Sequence, residues 1–146
     1  MKLIFDSNVF DDFISGKINI HLLDGDEIEV FITHIQVGEI NKCPDEVKRA
    51  GLFNIVTTIR PKKLLTESAI CDVSVCDEAK VSDGKLLEEL RIGNPKHNED
   101  ALIGETAIKN NLILISNDKA FRERVKRLGG ESLSVEELLQ RMQKQK

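Results

Sequence analysis

Apolar runs of strand length alternate with stretches of helical periodicity along most of this chain. Residues 2–6 predict a first strand, and Val9, Phe10, Phe13 and Ile14 recur at helical spacing behind it until Gly16. Residues 18–23 predict a second short helix, closed by Asp24-Gly25-Asp26. The next strand, residues 28–32, leads into a helix with a doubly marked start. Thr33 and Gln36 have the spacing of a capping box, and Ile32 and Val37 that of a hydrophobic staple. Pro44 suits the first position of a further helix through Val47, Ala50, Phe53 and Ile55. Residues 60–98 carry the weakest pattern: a strand over 69–75, a helix over 85–90 and a loop over 93–95 are expected. Beyond them the pattern sharpens. A helix from Glu99 ends near Asn110-Asn111, a strand covers 112–116, and Phe121, Val125 and Leu128 mark a helix stopped by Gly129-Gly130. A last strand, 131–133, meets a second capping box, Ser134 with Glu137, stapled by Leu133 and Leu138.

Strands alternating with helices predict a parallel sheet, and such sheets bind ligands at the carboxyl ends of their strands. Asp6 ends the first apolar run and Asp118 follows the run 112–115. Glu39 lies one and a half turns into the helix that leaves the second strand at the same edge. Asp100 heads the stripe Asp100, Ile103, Ala107, which is spaced to pack on the sheet. Four carboxylates spread over 112 positions are thus expected at one rim. Buried carboxylates acquire protons, cationic partners or metals. Hard divalent cations prefer oxygen donors, and Mg²⁺ is held by a few carboxylates with water and substrate phosphate. The rim reads as a metal site for phosphoryl chemistry.

Length and composition limit the alternatives. At 146 residues a single domain spanning 1–146 is expected, large enough for a proper core. No stretch approaches the roughly 20 apolar residues of a membrane span, and no signal-peptide pattern is present, so a cytoplasmic protein without a membrane is expected. Cys43, Cys71 and Cys76 lack metal-finger spacing and read as reduced thiols. The net charge of -4 hides an asymmetry: residues 1–118 carry 13 basic and 21 acidic side chains, residues 119–146 carry 8 basic and 4 acidic. Lys119, Arg122, Arg124, Lys126 and Arg127 read as a basic face opposite the apolar stripe of their helix. With Lys119, Arg122 and Lys126 at the front, this face is placed to guide a phosphate chain towards Asp118.

Four segments, Phe5-Asp6-Ser7-Asn8-Val9-Phe10, Ile35-Gln36-Val37-Gly38-Glu39-Ile40, Glu99-Asp100-Ala101-Leu102-Ile103-Gly104 and Leu114-Ile115-Ser116-Asn117-Asp118, together resemble a PIN domain. They stand in the family's order, with the acids separated by 33, 61 and 18 positions. The resemblance implies a PIN-like three-layer α/β/α sandwich around a central, mainly parallel sheet, and an endoribonuclease dependent on Mg²⁺ or Mn²⁺. In a small protein it further implies the toxin of a VapBC-type toxin–antitoxin pair, with RNA as substrate, a small antitoxin as partner and a homodimer as the assembly. Carried onto this chain, it makes Asp6, Glu39, Asp100 and Asp118 the catalytic acids and Ser116 a supporting hydroxyl. Ser7 and Ser116 stand where many relatives have Thr, and Ala120 replaces an acid two positions after Asp118.

In the expected reaction, metal-assisted hydrolysis, Asp6 and Asp100 hold the metal directly, Asp118 and Glu39 serve a second ion or position water, and Asn8 and Ser116 steady the carboxylates. Three rivals stand beside the toxin: an RNA-processing PIN nuclease without an antitoxin, a catalytically silent PIN-like binding module, and a phosphatase of the haloacid-dehalogenase type. The last needs Asp-x-Asp, and Asn8 occupies its second acidic position.

Overall fold

A computed structural model describes residues 1–144. Strands β1 (Lys2–Phe5), β2 (Glu29–Ile32), β3 (Lys62–Lys63), β4 (Ile113–Ile115) and β5 (Glu131–Leu133) form one sheet in the order β3-β2-β1-β4-β5. Every pairing is parallel, and β1 lies in the middle with Leu3 opposite both Val30 and Ile113. Central parallel strands are covered on both faces, hence the unbroken run Leu3-Ile4-Phe5. Leu3 and Phe5 point to one face and Ile4 to the other, and all three are buried.

Seven helices accompany the sheet among the described residues: α1 (Phe10–Ile14), α2 (His34–Asn41), α3 (Glu46–Ile59), α4 (Lys85–Arg91), α5 (Asn98–Lys109), α6 (Lys119–Arg127) and α7 (Val135–Lys144). On one face Phe5, Val30, Ile32, Ile113 and Ile115 pack against Phe10 and Phe13 of α1, Leu52 of α3, and Leu138 and Met142 of α7. The Phe5 ring meets those of Phe10 and Phe13 edge-on, with centroids 6.2 and 5.4 Å apart, an arrangement aromatic rings favour. On the other face Ile4 and Leu114 pack against Leu87 and Leu90 of α4, Leu102 and Ile103 of α5, and Phe121 and Val125 of α6.

Both capping boxes form as the sequence predicts. Thr33 caps α2, and its backbone N–H donates to Gln36 Oε1 at 2.9 Å. Ser134 and Glu137 exchange the same pair of bonds at the start of α7. Gln36 does more than cap. Fully buried, it donates from Nε2 to the Phe5 carbonyl at 3.1 Å, tying α2 to the end of the central strand.

Several expectations are corrected. Pro44 is not the first helical residue, since Asp45 caps α3 through the Lys48 N–H. Residues 18–23 make only a 3-10 turn, Ile20–Leu23. Residues 69–75 form turns rather than a strand, because the short β3 takes the sheet edge beside β2 and Ile70 and Val73 pack inward on the helix layer. The regular three-layer sandwich expected as PIN-like is also corrected on this face. Helix α5 is buried on every side from Ala101 to Ala107, so helices and sheet alone do not cover it. An irregular strap, residues 64–84, contributes to its outer side. The strap closes on itself through Thr66, whose N–H donates to the Glu78 carbonyl at 3.1 Å and whose carbonyl accepts from Lys80 at 2.7 Å. It is pinned to α5 by Ser68 Oγ donating to Glu105 Oε1 at 2.9 Å and by Asn110 Nδ2 donating to Glu67 Oε1 at 3.0 Å.

Gln36→Ala removes one arm of the first box, the bond to Phe5 and a filled core position together. The expected loss is about 2–4 kcal/mol of unfolding free energy in urea titration. A change under about 0.5 kcal/mol, the scale of an ordinary surface substitution, would show that α2 is anchored elsewhere.

Candidate functional site at the carboxyl edge of the sheet

Asp6 leaves the end of β1, its N–H still paired with the Ile115 carbonyl at 2.8 Å. Its carboxylate is buried and takes three bonds. Oδ1 accepts from the Ser7 N–H at 2.8 Å, which caps the 3-10 turn Ser7–Val9, while Oδ2 accepts from Asn8 Nδ2 at 3.0 Å and Ser116 Oγ at 2.7 Å. Ser116 follows β4 and is fully buried. Its hydroxyl, donating to Asp6, also accepts from the Asp118 N–H at 3.1 Å, so one side chain joins two of the acids. Asp118 is exposed and caps α6 by accepting from the Phe121 N–H at 3.0 Å.

Asp100 lies in the first turn of α5, half-buried above Ile103 and Ala107, as its stripe predicts. Burial lifts its pKa to about 6, helped by the charges of Asp6 and Asp118 and opposed by Arg124 and His97. The pKa of Asp6 is raised by burial, countered by the bonds from Ser116 and Ser7 and increased again by the charge of Asp118. Three of the predicted acids thus feel one another across the rim.

Glu39 lies beside the Asp6 corner and feels its charge. It accepts from Ser7 Oγ and neighbours Glu99, which accepts from Lys42 Nζ at 2.9 Å. Burial above all, then the contact with Glu99, pushes Glu39 up to about 8. For Glu99 burial works upward too, but the bonds from Lys42 and Glu39 outweigh it and its pKa is lowered. Glu39 is therefore protonated near neutral pH. A groove of about 220 Å³ lined by Ser7, Asn8, Glu39 and Lys48 reaches this corner. Larger concavities lie at the amino edge of the sheet, one of about 460 Å³ beside Met1, Ile28 and Met142. The carboxyl edge remains the candidate because the groups of perturbed acidity gather there.

Among the described residues no group of three or more acidic, histidine or cysteine side chains is placed to hold a metal ion together. The donors nevertheless suit a hard cation. Asp6, Asp100 and Asp118 offer only oxygen, and Mg²⁺ commonly takes one or two carboxylates and completes its shell with water.

The basic face is corrected in two places. Arg122 is not a solvated guide for phosphate: Nη1 donates to the Ser116 carbonyl at 2.7 Å, bracing the turn that holds the acids. Arg124 is not opposite the apolar stripe but on it, only 8% exposed, with its guanidinium carbon 5.6 Å from the Phe121 ring centroid. Its spacing, three residues after Phe121 and four before Leu128, is the signal that places it there. Lys119 and Lys126 are exposed, the latter 3.9 Å from Glu123. Ser7, Lys42 and Glu99 were not singled out by the sequence. Only Ser7, beside Asp6, had a local cue.

No protein-family model matches the chain, and no curated protein matches it. Among solved structures it is similar to a chain in VapBC2 from Rickettsia felis bound to a DNA fragment from their promoter. The TM-score is 0.53 at 18% identity, covering 92% of this chain and 98% of that one. A chain of FitAcB from Neisseria gonorrhoeae aligns with TM-score 0.45 at 12% identity over 91% and 96%. The first likeness establishes a shared fold. These findings correct the family and the activity inferred from the four motifs. A PIN-domain endoribonuclease acting as a VapC-type toxin is not upheld: no family model supports the membership, and the structural relative is described as VapBC2 bound to promoter DNA, not by RNA cleavage. What stands is a fold shared with a chain of VapBC2.

The displaced carboxyls make stability depend on pH. A folded pKa raised above the unfolded value stabilises the protein while the group stays protonated, and that contribution is lost as pH rises through the folded pKa. In chelator, melting temperature should fall from about pH 4 upward, through about 6 for Asp100 and about 8 for Glu39. Glu39→Gln should flatten the part between pH 6 and 8. An unchanged slope there would remove Glu39 from the account.

Proposed function

We propose that the carboxyl rim holds a divalent cation, Mg²⁺ or Mn²⁺, and that the protein is a metal-dependent hydrolase of phosphodiesters. One observation carries the proposal: Asp6, buried, and Asp100, half-buried, both have raised pKa values and both feel the charge of Asp118, which the Ser116 hydroxyl joins to Asp6. Asp6 and Asp100 would be the direct ligands, with Asp118 acting from the exposed side through water. A bound divalent cation would supply a water deprotonated near neutral pH and positive charge at the leaving oxygen. The chain's own part is orientation. Ser116 and Asn8 fix the Asp6 carboxylate, Arg122 braces the Ser116 turn, and Glu39, keeping its proton near neutral pH, can donate towards the groove beside Ser7.

A protein partner belongs to the same proposal, since the structural relative is a chain of the two-protein assembly VapBC2. No described helix is long and apolar enough to cross a membrane, and Cys43, Cys71 and Cys76 are free thiols, in keeping with a reducing cytoplasm.

Hydrolysis of bis(p-nitrophenyl) phosphate should require Mg²⁺ or Mn²⁺, stop in EDTA and be lost in Asp6→Asn. Metal binding should also relieve repulsion among the acids and raise the melting temperature at constant ionic strength, less so in Asp118→Asn. Metal-independent turnover, or equal stabilisation of wild type and Asp118→Asn, would refute the metal assignment.

A further inference from the structure

Arg124 is a buried cation whose charge the site does not yet use. It projects from α6, whose first turn is capped by Asp118, and it is buried together with Phe121 and Val125. That neighbourhood faces α5. A Cβ placed on Gly104 would stand 3.1 Å from Phe121 Cε2 and 3.3 Å from Val125 Cγ2, so the missing side chain at Gly104 lets α6 close onto α5. Asp100 lies one turn before Gly104 on the same face of α5. The close approach brings the turn of α6 that carries Arg124, its guanidinium over the Phe121 ring, against the face of α5 that carries Asp100, and the Arg124 charge opposes the rise of the Asp100 pKa.

The bonding of this guanidinium is incomplete. Its Nε is buried and finds no acceptor, and among the described residues Arg124 forms no ion pair with any carboxylate, whereas Arg91 and Arg141 each do. A buried cation and an unfilled donor are both costly, and they persist where a ligand completes them. Arginine presents its donors as a planar fork that matches the oxygens of a phosphate. The acids alone would repel such an anion; a metal ion held by Asp6 and Asp100 would offset that repulsion, and Arg124 would supply the second positive charge.

We propose that Arg124 anchors a non-bridging oxygen of the substrate phosphate. The inference rests on the phosphodiester reading and supplies the residue that holds the phosphate against the acids. It also separates α6 into two functions, with Asp118 at its start serving the metal and Arg124, six residues on, serving the anion.

The test is binding of inorganic phosphate in the presence of Mg²⁺, followed calorimetrically for wild type, Arg124→Lys and Arg124→Met, with Mg²⁺ binding and melting measured beside it. Arg124→Met keeps an unbranched apolar stem over Phe121, and Arg124→Lys keeps the charge without the fork. Wild type should bind phosphate, Arg124→Lys several-fold more weakly and Arg124→Met roughly 10-fold or more weakly, the scale of a lost charge-assisted bond. Mg²⁺ affinity should rise in Arg124→Met, because a competing cation is gone; a purely structural residue would not produce that opposite pair. Equal phosphate affinity in wild type and Arg124→Met, or no phosphate binding by wild type, overturns the inference. Should Arg124→Met fail to fold, an unchanged affinity in Arg124→Lys overturns it and a weakened one upholds it. Wild type that binds phosphate through Arg124 yet hydrolyses no diester would instead overturn the hydrolase reading and leave the anchor standing.

Discussion

A carboxylate at the end of the central strand has to be buried and still kept in place, and much of the rim is arranged around that need. Asp6 sits where β1 leaves the sheet, between β4 and the turn that starts α1. Burial alone would favour its neutral form, and the Ser7 amide, the Asn8 amide group and the Ser116 hydroxyl work against that. Each donor is fixed by something larger. Ser7 and Asn8 belong to the 3-10 turn that Asp6 itself caps, and Ser116 is held by β5 through its N–H to Leu133 and by Arg122 through its carbonyl. The same serine receives the Asp118 amide, so the start of α6 is set by the atom that steadies Asp6. Local folding and placement of the site are one set of bonds here.

The helix layer on the Ile4 side carries a second constraint. Helix α5 has no solvent face from Ala101 to Ala107, and it buries Glu105 as well as Gly104. Gly104 admits α6 on one side. On the other, Glu105 anchors the strap through Ser68 and meets Lys109 at 3.1 Å, leaving Oε2 without a partner. A helix held from both sides cannot rotate freely, which fixes the azimuth of Asp100 one turn before Gly104. The position of one acid thus depends on packing far from the rim.

Much of this was legible in the sequence where local chemistry decides the outcome. The capping boxes at Thr33 and Ser134, the run of β1 and the stripe Asp100, Ile103, Ala107 are encoded within a few residues and form as predicted. The caps at Asp6 and Asp118 are equally local, and they place two acids at one edge. What failed depends on distant partners. The strap has no periodicity because it is held by Ser68 and Glu67 reaching α5 and its end and by Thr66 closing the strap on itself, so composition alone suggests the strand over 69–75. Arg122 and Arg124 read as solvent-facing because arginine usually is, yet one braces a carbonyl and the other lies on an aromatic ring. The contact of Glu39 with Glu99 joins two helices and leaves no trace in either segment. The motif resemblance overreached for a related reason: short acidic motifs fix where carboxylates fall, while family and substrate reside in surfaces those motifs do not describe.

The central claim is that Asp6 and Asp100 share a divalent cation at the carboxyl edge. Anomalous diffraction from crystals grown with Mn²⁺ tests it directly. The account predicts one strong peak within bonding distance, about 2.1 Å, of carboxylate oxygens of both Asp6 and Asp100, with Asp118 beside it and no such peak in Asp6→Asn. A rim without anomalous signal at saturating Mn²⁺, or a peak that survives in Asp6→Asn, would contradict it.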